Sequence, residues 1–139
     1  MPVDFVAAAR RHFSDGTLLR DTKRLPNADQ LFGLSVECAL KAFAVALGVP
    51  VDPGGELAEH AYKTHVNILW DMLRGLATGR RGAWFFARLP EGSPFSDWNI
   101  AQRYWDDQSV RPSAVEDHFK AARSIMTTLE RASERGDVS

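Results

Sequence analysis

The strongest constraint on the fold is a long amphipathic segment, residues 28–47. At about 100° per residue, small or apolar side chains collect on one face of this segment. That face comprises Ala28, Leu31, Phe32, Ser35, Ala39, Ala42, Phe43 and Ala46. Asn27 is a typical N-cap residue with Gln30 three positions later, and Gly48 is a typical residue after a helix end. The pattern predicts a helix with its small-residue face packed closely against other helices, and Gln30, Glu37 and Lys41 on the opposite side.

Other segments show the same periodicity, and none alternates long enough to predict a strand. The first predicted helix covers about residues 3–24, with a weak middle at 14–16. A third covers about 64–78 and is broken at 79–82, and a short one covers 83–89. Ser96 is a candidate cap for a turn around Trp98 to Tyr104, and Ser113 with Glu116 forms a capping box that predicts the start of the last helix. The chain is therefore predicted to be all-α, a compact helical bundle.

Length and charge limit the classes of protein to consider. A chain of 139 residues suits one domain, 1–139, and its net charge of −1 gives no global attraction to nucleic acid or anionic membranes. No apolar run approaches the roughly 20 residues that span a bilayer. The only cysteine, Cys38, precludes an intrachain disulfide and is interpreted as a small buried apolar residue, which suits a cytoplasmic protein. His60 and His65 lack the i, i+4 spacing of a helical zinc site, so we expect no metal and no cofactor.

Two pairs of residues are candidates for ligand binding. Glu37 and Lys41 have the favourable i, i+4 order, which indicates either a solvated pair or one wall of a polar groove, with Arg103 as a candidate partner. Arg103 and Tyr104 lie in residues 95–107, where aromatic and charged residues alternate closely. Aromatic residues beside arginine can stack a nucleobase. The mixed charge of the segment favours the alternative, a lid over the bundle core.

A third pair, Arg111 and His118, is separated by six residues. Histidine can act as a general acid or base, and arginine can stabilise developing charge on a phosphate. Together they would cleave RNA without metal by activating the ribose 2′-hydroxyl. The alternative is a structural histidine near the start of a helix.

Several segments carry a resemblance to one family. Residues 28–42, with a glutamate followed by Leu-Lys-Ala, resemble the second helix of HEPN (higher eukaryotes and prokaryotes nucleotide-binding) domains. Residues 8–16 resemble the first helix, 98–104 resemble a late segment ending in Arg-Tyr, and the helix around 121–123 fits the closing helix. The segments occur in the family's order and together span most of the chain.

The HEPN resemblance implies a four- to five-helix up-and-down bundle, often a homodimer. It also implies association with nucleotide or RNA, frequently beside a nucleotidyltransferase partner in toxin–antitoxin pairs. Active family ribonucleases carry arginine, four to six residues, and then histidine, a spacing that Arg111 and His118 meet. Arg111 is followed by Pro112, where the family often has a polar residue.

Three functions are therefore expected in this order. The first is a non-catalytic HEPN-like binding module, dimeric, holding nucleotide or a partner protein in a groove near Glu37, Lys41, Arg103 and Tyr104. The second is a metal-independent ribonuclease, the one enzymatic alternative, using Arg111 and His118. The third is a structural interaction domain that docks a partner through exposed aromatic residues. The candidates for that docking are Trp84, Phe85 and Trp105.

Overall fold

The computed structural model describes residues 2–76 and 84–138, and most of them are helical. The long helices are α1 (Phe5–Asp21), α2 (Leu25–Ala46), α3 (Val66–Leu76) and α4 (Pro112–Glu134), with a helical turn at 84–86. Three short 3-10 helices lie at His60–Tyr62, Ile100–Tyr104 and Asp107–Ser109. The described residues form no strand, only an isolated bridge, Val51 to Leu57. The prediction of an all-α bundle is confirmed.

Helix α2 lies at the centre of the bundle and packs against α1, α3 and α4. The small residues of its predicted apolar face, such as Ala28 and Ala39, are fully buried. Large apolar side chains from α2 itself, from the other helices and from the loops complete the core, and full burial of each contributes about 1.5–3 kcal/mol. The largest of them are Trp70, Phe32, Phe43, Phe85, Phe95, Leu40, Leu57, Leu69, Leu73, Ile125 and Leu129. No helix within residues 2–76 and 84–138 is long and apolar enough to cross a membrane.

The helix starts differ from the predicted caps at Asn27 and Ser113. Arg24 and Arg111 are the N-cap residues, and neither makes a side-chain capping bond. Each helix instead has a proline in its first turn, where the fixed φ suits the helix and the missing N–H costs nothing. Both helices therefore begin with a proline in the first turn and not with the predicted capping box.

The other helices also differ from their predicted bounds, by a few residues. Helix α1 continues through its predicted weak middle, because Gly16 packs where an added Cβ would lie 2.9 Å from the Phe32 ring. Asn99, rather than Ser96, caps the 3-10 helix that follows it. Residues 77 and 78 of the predicted third helix, the predicted break at 79–82 and residue 83 lie outside the described residues.

The face of α2 that was predicted to point away from the core is covered. The Glu37 and Lys41 side chains form an ion pair at 3.6 Å, and each is only about one-tenth exposed, 11% and 12%. Gln30 is also buried, and the Trp98 indole lies against Gly33 on the same side. The interpretation of Glu37 and Lys41 as a solvated pair is wrong, because loop segments after α2 return to cover this face.

Replacing Gln30 with methionine is expected to raise the free energy of unfolding by about 1–3 kcal/mol. Both amide atoms of Gln30 are buried without a hydrogen-bond partner among the described residues, so its desolvation is uncompensated. Urea unfolding followed by circular dichroism measures the change. Gln102→Met is the matched control and should destabilise, since the Gln102 side chain is buried but makes two hydrogen bonds. A Gln30→Met variant less stable than the wild type would contradict the expectation.

Candidate functional site

His118 is held between two carboxylates that come from distant parts of the chain. Its Nδ1 lies 2.6 Å from Oδ1 of Asp29, and its Nε2 lies 2.7 Å from Oδ1 of Asp97. Asp29 belongs to α2, Asp97 to the loop before the second 3-10 helix, and His118 to α4. His118 is 1% exposed. The three residues therefore connect the central helix, the closing helix and the loop that separates α3 from α4.

Further contacts fix the orientation of this group. The Gln102 side-chain amide donates to Oδ2 of Asp29 at 2.8 Å, and the Trp98 indole donates to the Asp29 carbonyl oxygen at 2.9 Å. The Phe95 ring stacks on the imidazole with centroids 4.9 Å apart. Asp29 thus accepts through both carboxylate oxygens. The imidazole is held at its two nitrogens by the carboxylates and on one face by the Phe95 ring.

The loop that supplies these groups is itself held by local hydrogen bonds. Asn99 accepts from the Ala101 backbone, and the Gln102 side chain accepts from the Asn99 backbone, forming a capping box around Ile100–Tyr104. Asp106 accepts from the backbone N–H of Gln108 and of Ser109 in the next turn. Such reciprocal bonds satisfy backbone donors at helix starts and hold the chain in one conformation.

The two carboxylates differ in their access to solvent. The Asp29 side chain is 2% exposed, whereas the Asp97 side chain is 56% exposed. Burial by itself lowers the pKa of His118, but hydrogen bonds and charge from Asp29 and then Asp97 outweigh it and raise the pKa above its ordinary value. Asp29 is therefore a fixed partner of the imidazole, while Asp97 has room to rotate away from Nε2.

A cavity of about 180 Å³ opens beside His118 and is lined by both Arg111 and His118. Arg111 is the exposed N-cap residue of α4, and His118 lies seven residues further along the helix. Among the described residues, the Arg111 guanidinium has no hydrogen-bond or ion-pair partner. The structure brings this predicted pair to one cavity, together with Asp29, Asp97 and Trp105.

The other predicted ligand-binding residues make contacts in two different places. Glu37 forms an ion pair with Lys41 and accepts a hydrogen bond from His65, whose Nδ1 lies 2.8 Å away. Arg103 donates to the Ile100 carbonyl at 3.2 Å, and its guanidinium lies 4.7 Å from the centroid of the exposed Tyr104 ring. Contacts of the described residues do not join the two pairs, so the groove shared by all four stays a prediction.

Sequence reasoning missed Asp29, Asp97 and Gln102. A signal for Asp29 existed, because a carboxylate directly between buried positions of an apolar helix has to find a polar partner. Asp97 and Gln102 fall in the aromatic and charged stretch 95–107 that was singled out as unusual. Asp97 contacts His118 across 21 residues and Gln102 contacts Asp29 across 73, and no local pattern encodes either contact.

Neither a reactive thiol nor a cluster of metal ligands lies in the described part of the chain. Cys38 is partly buried, and burial raises the pKa of its thiol to about 11, so it stays protonated near neutral pH. No group of three or more His, Cys, Asp or Glu side chains in residues 2–76 and 84–138 is placed to hold a metal ion.

No protein-family model, curated protein or solved structure matches the chain. The chemistry of the cavity therefore has to be inferred from His118, its two carboxylates and Arg111. In this arrangement the buried Asp29 carboxylate orients an imidazole, and Arg111, which has no partner within residues 2–76 and 84–138, lies at the same opening.

Proposed function

We propose that this protein is a metal-independent ribonuclease in which His118 is the general base and Arg111 binds the scissile phosphate. One observation carries the proposal: Arg111 and His118 line the same cavity, and buried Asp29 fixes the imidazole from behind. The spacing of arginine and histidine, with six residues between them, is also what the HEPN resemblance leads us to expect, whereas Pro112 and the position of Arg111 at the helix start depart from the family's pattern.

Asp29 gives His118 a defined tautomer. Because the Asp29 carboxylate accepts from Nδ1, a neutral imidazole keeps its proton there, and its Nε2 lone pair faces the cavity once Asp97 has moved away from Nε2. A third group that orients the base in this way is a recurring feature of acid–base sites. The same carboxylate makes the imidazole more basic, which favours removal of a proton from a hydroxyl group.

Asp97 occupies the position that a substrate hydroxyl would take. Its Oδ1 lies 2.7 Å from Nε2, and more than half of its side chain is exposed. Rotation of Asp97 into solvent would leave Nε2 free for the ribose 2′-hydroxyl. The charge that Asp97 places beside the cavity also disfavours a phosphate there until the carboxylate moves away.

Arg111 supplies the charge that a phosphodiester requires. A guanidinium presents a planar set of donors that match two phosphate oxygens, and it remains cationic at any working pH. Arg111 has no internal partner among the described residues, so binding a phosphate would not require it to give up another contact.

The reaction is a transesterification. The 2′-oxygen attacks phosphorus as its proton passes to Nε2 of His118, and the bond from phosphorus to the 5′-oxygen breaks. The departing 5′-oxygen takes a proton from water, and His118 returns its proton to the hydroxide that remains. The products are a 2′,3′-cyclic phosphate and a 5′-hydroxyl, and Arg111 stabilises the extra charge on the phosphoryl oxygens.

Arg111→Ala is expected to reduce the rate of RNA cleavage about 100-fold, because removal of one electrostatic donor from a transition state has an effect of that order. The assay follows a fluorescent RNA oligonucleotide in buffer with EDTA, with chromatography to identify the cyclic phosphate. Arg111→Lys should retain part of the rate, since it keeps the charge without the planar fork.

The matched control is Arg131→Ala, which removes another exposed arginine from the same helix. It should leave the rate unchanged, and neither variant should alter the unfolding transition. Absence of cleavage by the wild-type protein, or equal rates for wild type and Arg111→Ala, would rule out the proposal.

A further inference from the structure

We infer that Trp105 is a stacking platform for an unpaired nucleobase next to the phosphate site, with Tyr104 extending it. This inference rests on the proposed function and adds the form of the substrate: a single strand whose bases are free to stack. It would make Trp105 a residue that determines specificity, rather than one that takes part in the chemistry.

The position of Trp105 supports this role. Trp105 lines the same cavity as Arg111 and His118, yet it remains 44% exposed. Tyr104 beside it is 78% exposed, so two large rings stand at the surface where the bundle core does not need them. Neighbouring exposed aromatic residues at the edge of a polar cavity indicate a binding surface.

The backbone around Trp105 is fixed before any ligand binds. The Trp105 N–H donates to the Gln102 carbonyl at 3.0 Å, and the Gln102 side chain is anchored on buried Asp29. On the other side, Asp106 holds the following turn through the Ser109 backbone and hydroxyl. A ring carried on backbone that is already fixed loses less conformational freedom when a base stacks on it, which increases the net gain from stacking.

The charges around the rings fit a nucleic-acid strand. Arg103 lies over the Tyr104 ring, and Arg111 lines the cavity beside Trp105, so cations are present on both sides of the platform. Of the nearby carboxylates, Asp106 accepts from its own turn, Asp97 is exposed enough to rotate into solvent, and exposed Asp107 lies in the turn that follows Trp105. A phosphate backbone can therefore follow the arginines while a base covers the indole.

Stacking on Trp105 selects for unpaired bases. In a duplex each base is already stacked and paired, so its face is unavailable to a side chain. Each base stacked on an aromatic side chain contributes enough affinity that its loss is readily measured. We therefore expect tight binding of a single strand and weak binding of the same sequence in a duplex.

The test is fluorescence anisotropy with a labelled 12-nucleotide 2′-O-methyl RNA, alone and annealed to its complement, at about 0.15 M salt. This probe lacks the free 2′-hydroxyl and is not cleaved, so binding is measured apart from chemistry. Trp105→Ala should weaken single-strand binding about ten- to hundred-fold. Trp105→Phe should restore most of the affinity, because it keeps a ring at the same position.

Leu18→Ala is the control, since Leu18 is an exposed apolar residue on α1 and does not line the cavity. It should bind as the wild type does. Equal affinity of wild type and Trp105→Ala, equal binding of the duplex, or no binding by the wild type would overturn the inference. Failure of the proposed function gives a different result: the 2′-O-methyl strand binds as expected, but unmodified RNA is not cleaved.

Discussion

Asp29→Ala is expected to lower the free energy of unfolding by about 3–5 kcal/mol. The Asp29 carboxylate is almost fully buried and accepts from His118 at 2.6 Å and from Gln102 at 2.8 Å. Its removal leaves a buried imidazole and a buried amide without that partner, and the desolvation of both stays uncompensated. Urea unfolding followed by tryptophan fluorescence at pH 6 measures the change.

Asp97→Ala is the matched control, because Asp97 bonds the other nitrogen of the same ring but is more than half exposed. Its loss should cost less than about 1 kcal/mol, as for other exposed pairs. If Asp29→Ala does not fold, Asp29→Asn keeps the shape and one acceptor and should be intermediate. Equal effects of Asp29→Ala and Asp97→Ala would contradict the assignment of Asp29 as the fixed partner.

The contact between Asp29 and His118 also determines the direction in which the stability of the protein changes with pH. The folded-state pKa of His118 is raised, so its contribution to stability is complete below the unfolded pKa of about 6.5 and is lost as pH rises through the folded value. Between those two values the wild type should lose stability with increasing pH, and Asp29→Asn should lose less. Parallel pH profiles for the two proteins would contradict this account.

The second large effect is expected for Gly33→Ala, with a loss of about 3 kcal/mol, at the upper end of the range for overpacking. An added Cβ would lie only 2.0 Å from Cε2 of the buried Trp98 indole, so the ring has to move. Trp98 donates to the Asp29 carbonyl, and its displacement should also disturb the His118 group. Unfolding in urea and the RNA assay together measure both consequences.

Gly75→Ala provides the matched control on another helix. Gly75 lies in α3 with no atom of the described residues within 4 Å of an added Cβ, so the substitution should be neutral or stabilise by up to about 1 kcal/mol through helix propensity. A Gly33→Ala protein as stable as Gly75→Ala would show that Trp98 is not packed against the helix backbone.

Local patterns were sufficient for the helices but not for their first residues. The period of the apolar residues predicted α2 and α4, and seven of the eight residues placed on the apolar face of α2 are buried, because burial of one face imposes that period. Capping rules placed the starts at Asn27 and Ser113, whereas Pro26 and Pro112 lie in the first turns. Capping residues and proline both indicate a helix start, and both helices begin with a proline in the first turn.

The candidate site was only partly accessible from sequence. Arg111 and His118 were predicted as a pair because they lie on one short stretch of chain with six residues between them, and their side chains suit acid–base and phosphate chemistry. Asp29 was placed on a helix but given no role, and Asp97 fell in a segment without periodicity. The expected exposure of Glu37 failed for a related reason: a helical wheel does not show which loop will cover a polar face.

The sequence by itself therefore determined an all-α bundle and its central helix with the small-residue face, and it predicted Arg111 and His118 as a pair. The tertiary structure alone decided that Asp29 and Asp97 meet His118. The physical reason is the range of the interactions: periodicity and capping act within a few residues, whereas a buried carboxylate is satisfied by whichever donor the packed core brings to it.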